Sequence, residues 1–145
     1  MDRETARAIE WDCTRVLLRF YDCFDRWDYA AMVAFYAPDG LWHRAGQDLR
    51  GRAAILNALA QRARTQTVRH VLTNILVTPL DATHAEASCY VTAYRHDDGK
   101  PAVKPPIIAM PALLVQVAAQ LTQVQEEWLI SCQRTQRVFE FGAGS

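Results

Sequence analysis

Neither sign of charge is in excess in this chain. Lys and Arg number 16, Asp and Glu number 16, and the net charge is +0 at pH 7. That leaves no basic field for nucleic acid or an anionic membrane surface. No apolar run approaches the roughly 20 residues of a membrane span. Cys13, Cys23, Cys89 and Cys132 form no Cys-x-x-Cys pair and sit among apolar neighbours. They are expected to be four reduced core thiols of a cytoplasmic protein. His43, His70, His84 and His96 show no His-x-His or His-x-x-x-His spacing, so no zinc or other metal site is signalled. Met1-Asp2-Arg3-Glu4 is charged and leads into a helical pattern, unlike a signal peptide. Repeats, linkers and low-complexity segments are missing as well.

What remains is a chain of 145 residues, of which 50% are hydrophobic. That suits one domain with a single core, expected over residues 1–141, with a frayed tail at 142–145. Ile9, Cys13, Val16, Leu17, Phe20, Tyr21 and Phe24 recur at helical spacing, predicting a long first helix from about Arg3 to Asp25. Asp28 is placed to cap a second helix that buries Tyr29, Met32, Val33 and Tyr36. Ala37-Pro38-Asp39-Gly40 is expected to end it in a turn, with a short strand at Leu41–Arg44 and a polar loop at 45–51. A third helix is predicted from Arg52 to about Arg64, burying Ile55, Leu56, Leu59 and Ala63.

The period then changes to two. Strands are predicted at Thr67–Thr78 and His84–Arg95, joined by a turn at 79–83. Alternation places His70, Leu72, Asn74 and Leu76 on one face of the first strand. An imidazole and an amide among leucines form either the wall of a partly polar pocket or a satisfied pair in a core. On the second strand Glu86, Ser88, Tyr90, Thr92 and Tyr94 share a face, which reads as the wetter, pocket-facing side. Residues 112–125 fit helix and strand equally well. The turn expected at Glu126-Glu127 and the strand-like run from Trp128 favour a hairpin, with the last strand reaching about Phe141. Three helices and about four antiparallel strands give an α+β fold. A curved sheet around a long helix would enclose a conical cavity, with Phe20, Phe24, Trp42, Tyr90, Tyr94 and Trp128 available to line it.

Four stretches together resemble the nuclear transport factor 2-like superfamily, and within it the SnoaL-like branch. They are residues 20–28 (FYDCFDRWD), 36–42 (YAPDGLW), Gly51, and 69–74 (RHVLTN). The branch includes polyketide cyclases, scytalone dehydratase and the small subunits of ring-hydroxylating dioxygenases. The resemblance implies a conical α+β barrel of three helices on a curved, mostly antiparallel sheet, and a homodimer through the outer sheet face. It also implies acid–base chemistry without a metal or organic cofactor. In scytalone dehydratase an aspartate after the first helix works with a histidine on the strand after the third. Asp25 and His70 stand at the matching positions. The dehydratase's tyrosine beside that aspartate is Phe24 here. Its second histidine falls near Arg95 or His96, and its substrate-holding tyrosine near His43-Arg44. The superfamily's Trp-x-Ile-x-x-Arg ending is approximated by Trp128, Ile130 and Arg134, one residue late.

If Asp25 faces His70, the carboxylate fixes the imidazole tautomer, and the free nitrogen can move a proton next to a carbonyl or onto a leaving hydroxyl. Asn74 or Tyr90 would then steady the oxyanion, and Phe24, Trp42, Tyr94 and Trp128 would hold a hydrophobic or aromatic small molecule. The bland alternatives are an exposed aspartate at a helix end, a histidine bonded to backbone, an asparagine satisfying a sheet edge, and aromatics that fill a core. Arg69 points away from His70 and reads as a surface or dimer-interface residue. His43 and Arg44 are candidates for contact with an anionic ligand at the cavity mouth. Three functions fit: a dehydratase, isomerase or cyclase; a non-catalytic subunit like that of a ring-hydroxylating dioxygenase; or a ligand-binding protein.

Overall fold

The computed structural model describes residues 1–142. Helix α1 spans Arg3–Asp25, α2 Tyr29–Val33 and α3 Arg52–Ala60. The strands are β1 Tyr36–Arg44, β2 Gln47–Arg50, β3 Thr67–Pro79, β4 His84–His96, β5 Leu113–Val124 and β6 Glu127–Glu140. They form one six-stranded curved sheet in the order β2-β1-β6-β5-β4-β3. Every neighbouring pair is antiparallel except β1 and β6, which run parallel.

Helix α1 begins where the Asp2 carboxylate accepts from the Thr5 N–H at 2.8 Å, with Glu4 in the first turn favoured by the helix dipole. Its apolar stripe, the one predicted from spacing, is buried against β3, β4 and β6. Phe20 meets Tyr21, Phe24, Tyr36 and Trp42 edge-on at centroid distances of 5.1, 6.4, 5.7 and 5.7 Å. Burying one such ring contributes about 1.5–3 kcal/mol. Asp28 caps α2 as expected, accepting from the Ala31 N–H at 3.2 Å.

Several local expectations are corrected. The second helix stops at Val33, and Tyr36 through Gly40 belong to β1 rather than to a turn. Pro38 is tolerated because the pairing of β1 with β6 shifts register between Tyr36 and Leu41. Gly40 is needed there. A Cβ would stand 2.9 Å from the Ile130 carbonyl oxygen and 2.8 Å from the Tyr36 ring. The polar loop at 45–51 is mostly strand. Ala45 (φ 51°) and Gly46 (φ 75°) make a two-residue hairpin turn, and β2 pairs back on β1. Helix α3 ends at Ala60, burying Ile55 and Leu59, while Leu56 and Ala63 are exposed. Residues 113–124 are a strand, as the hairpin argument favoured, but the tight turn is Gln125-Glu126, both at positive φ. Residues 143–145 of the expected tail lie outside the described residues.

Candidate active site

The cavity lies at the end of the cone where α1 stops and is about 620 Å³ in volume. Four strands supply much of its wall: Val68 and His70 come from β3, Val91 and Ala93 from β4, Leu113 and Val115 from β5, and Thr135 from β6. Helix α1 contributes Tyr21 and Phe24, and β1 contributes Trp42 and Arg44.

Asp25 is the last residue of α1, where the helix dipole disfavours a carboxylate. The carboxylate is satisfied twice by a single residue. Its Oδ2 accepts from the His70 backbone N–H at 3.0 Å, and its Oδ1 lies 2.6 Å from His70 Nδ1. The two side chains are only 12% and 11% exposed. A carboxylate accepts only, so Nδ1 carries the proton and Nε2 is left as the ring's free nitrogen. Nε2 has no hydrogen-bond partner among the described residues, and the ring stands on the cavity wall. Phe24 at 4.6 Å and Tyr21 at 5.2 Å, both tilted, hold the imidazole from the side.

Tyr21 lies one helical turn before Asp25 and so faces the same way. Its hydroxyl accepts from Gln133 Nε2 at 3.4 Å, which leaves its own hydrogen to donate. Burial holds the phenol well above its ordinary pKa, so it stays a neutral donor. Sequence reasoning counted Tyr21 only as core, although its spacing from Asp25 was the available signal. Trp42 Nε1–H donates to Thr135 Oγ1 at 3.2 Å.

Two half-buried arginines complete the wall. Arg44 lies 4.9 Å from the Trp42 ring centroid and 5.4 Å from that of Phe24. Arg62, from the segment after α3, lies 4.3 Å from the Phe24 centroid. It donates to the Tyr29 hydroxyl and to Gln66 Oε1, each at 3.2 Å. Burial lowers the pKa of both, and for Arg44 the charge of Arg62 adds to the effect. Arg95 and Arg137 stand at the exposed rim, Arg137 bound to Glu140.

Other candidate residues lie elsewhere. Tyr90 and Tyr94 are 39% and 38% exposed on the outer sheet face. The inward face of β4 is the small one, Ala85, Ala87, Cys89, Val91 and Ala93, because only short side chains fit beneath α1 and leave space for a cavity. Asn74 is exposed in a bulge at φ 53°, where the pairing of β3 with β4 shifts register between Thr73 and Leu76. The bulge breaks the expected alternation. Leu76 turns outward, while Ile75 and Val77 pack on the core. Trp128 is buried in the core and does not reach the cavity wall. Trp42 and Phe24 do line it. His43 points to the opposite face from Arg44 and pairs with Asp48. Arg69 is exposed.

Among the described residues no group of three His, Cys, Asp or Glu is placed to hold a metal ion, and no helix is long and apolar enough to cross a membrane.

No curated protein matches the sequence significantly. Solved structures match over nearly the whole chain. A scytalone dehydratase candidate from Novosphingobium aromaticivorans DSM 12444 superposes with a TM-score of 0.78 at 15% identity, covering 99% of this chain and 95% of its own. An NTF2-like protein with a cystatin-like fold from the same species gives 0.76 at 17%, covering 91% and 84%. A protein from Catenulispora acidiphila, solved in complex with S-DNPA, gives 0.71 at 16%, covering 90% and 94%. At these identities the likeness establishes the cone fold. The SnoaL-like domain family matches residues 6–132, and the chain belongs to that family.

Proposed function

We propose that the protein is an acid–base enzyme of dehydratase, isomerase or cyclase type, acting on a hydrophobic, oxygenated small molecule with its own side chains. The observation that carries this reading is the 2.6 Å contact of Asp25 Oδ1 with His70 Nδ1 beside a cavity of about 620 Å³. His70 Nε2 takes a proton from carbon next to a carbonyl. The Tyr21 hydroxyl donates to the oxygen as charge develops on it, in the place first considered for Asn74 or Tyr90. The protonated ring then returns the proton to carbon, giving isomerisation, or to a departing hydroxyl, giving dehydration. Phe24 and Trp42 hold the apolar part of the substrate.

The dehydratase candidate and the small-molecule complex among the structural neighbours support a ligand in the cone. A homodimer through the outer face belongs to the same proposal, since Val71, Leu76, Tyr90 and Tyr94 are exposed there. Cysteines without disulfides fit a cytoplasmic setting.

The test is exchange of α-protons of cyclic ketones in D2O, followed by NMR. The wild type accelerates exchange, whereas His70→Ala and Asp25→Asn do not. Acceleration that survives His70→Ala would remove the acid–base assignment.

A further inference from the structure

We propose that the ligand of this cavity carries a carboxylate, and that the guanidinium groups of Arg44 and Arg62 receive it. The inference deepens the function proposed above and rests on it only in seating the ligand in the cone. Binding of the anion does not require turnover.

The balance of charge on the wall is the starting point. Arg44, Arg62, Arg95 and Arg137 line the cavity, and no Asp or Glu does. The carboxylate nearest at hand, Asp25, already accepts from both N–H groups of His70. Arg137 is neutralised by Glu140, and Arg95 is exposed at the rim. Arg44 and Arg62 are different. Both are half-buried and stacked on aromatic rings, and neither forms an ion pair among the described residues.

The Arg44 guanidinium makes no hydrogen bond among the described residues. Arg44 sits at the last position of β1, two residues after Trp42, so strand alternation aims it inward. Its guanidinium lines the cavity, so its five N–H donors are available to a ligand there. Arg62 is braced by Tyr29 and Gln66, which fix its direction without neutralising it. Two guanidinium groups on one Phe24 ring repel each other, and burial makes each more costly. Guanidinium does not shed its proton in a protein, so the cost stands until an anion enters. A planar fork matches a carboxylate in two-point contact. The walls around it, Phe24, Trp42, Val91 and Val115, are apolar and call for an aromatic or alicyclic body on that carboxylate.

The experiment compares 2-naphthoate with 2-naphthamide, a neutral probe of the same shape, by calorimetry and by quenching of tryptophan fluorescence. The wild type prefers naphthoate by about tenfold or more, the size expected for hydrogen bonds to a charged group. Added salt weakens naphthoate binding and leaves naphthamide unchanged. Arg44→Gln and Arg62→Gln each remove most of the preference. The salt dependence is read on the wild type, so the test stands even if one variant folds poorly. His70→Ala keeps the preference, which separates this inference from the acid–base reading. Equal affinity for the two probes, no naphthoate binding up to millimolar concentration, or a preference that survives both arginine substitutions overturns the proposal. So does a preference lost in His70→Ala, which would make the imidazolium the receptor.

Discussion

Replacing Asp25 with Asn changes one atom and sets two demands of His70 against each other. The His70 backbone N–H can only donate, and it needs the oxygen of the new amide at about the present 3.0 Å. The amide NH2 then faces His70 Nδ1, now 2.6 Å from an oxygen. Nδ1 must become an acceptor, and the ring proton moves to Nε2. The tautomer presented to the cavity is reversed. With both side chains nearly enclosed, the lost charge-assisted bond costs about 1.5–3 kcal/mol. Removing a negative charge from the C-terminal end of α1 returns about 0.3–1 kcal/mol. The net loss of about 1–2 kcal/mol lowers the melting temperature of a domain this size by roughly 2–8 °C. Proton transfer to or from substrate falls by about 10²–10⁴-fold, because the base is gone. Thermal denaturation measures the first effect, α-proton exchange the second, and the 15N spectrum of the His70 ring reports the tautomer directly. A variant that melts with the wild type and keeps its ring proton on Nδ1 would refute the reasoning. Asp25→Ala should be worse for stability, because two donors then lose their acceptor.

Three further outcomes are expected. Gly40→Ala forces a methyl against the Ile130 carbonyl oxygen and the Tyr36 ring, and chemical denaturation should show a loss of about 1–3 kcal/mol; an unchanged midpoint would mean that the bulge in β1 gives way freely. Asp81 in the β3–β4 turn is pushed down from 3.8 to about 2, first by the Thr83 backbone N–H and then by His84. Its folded value lies below its unfolded one, so its contribution is complete above pH 3.8 and disappears as the pH falls through about 2. A carboxyl NMR titration with a midpoint near 3.8 in the folded protein would contradict this. Burial pushes the Cys13 thiol up to about 12 and the Cys89 thiol up to about 11, so neither should react with a thiol reagent at pH 8 until denaturant is added. Rapid labelling of either in the native protein would show that the core under the sheet opens.

Much of the fold was legible because its signals are local. The stripe on α1, the Asp28 cap and the change of period at Thr67 each follow from a few neighbouring residues. The strand at 113–124 emerged from its turn, although its own pattern was ambiguous. The two ends of the Asp25–His70 contact were also visible, by their matching family positions. What sequence hid was direction. Alternation on β4 separated tyrosines from alanines but could not say which set faced α1, and polarity pointed the wrong way. Packing decided it, since a helix laid on a curved sheet admits only small side chains beneath it. Asn74 gave no sign of a bulge, because asparagine adopts positive φ without a glycine to announce it. Arg62 falls inside the predicted third helix and is not singled out there; α3 ends at Ala60, and Arg62 beyond it lies 4.3 Å from the Phe24 centroid. The parallel pairing of β1 with β6 joins segments more than ninety positions apart, which no local pattern records.

The bulge at Asn74 gives β3 a parity. Before it, even-numbered residues look inward, as His70 and Leu72 do; after it, odd-numbered ones do, as Ile75 and Val77 do. Deleting Asn74 would remove the extra residue, leave Ile75 alone opposite Cys89 and keep Ile75 and Val77 inward. Deleting one residue from a regular stretch of β3 would instead turn over every side chain on one side of the gap. Length variation in relatives of this chain should therefore be excluded from the regular parts of β3 in steps of one. It should collect in the segment between β4 and β5, where Val103 and Ile107 are almost fully exposed and no inward face has to be kept in phase.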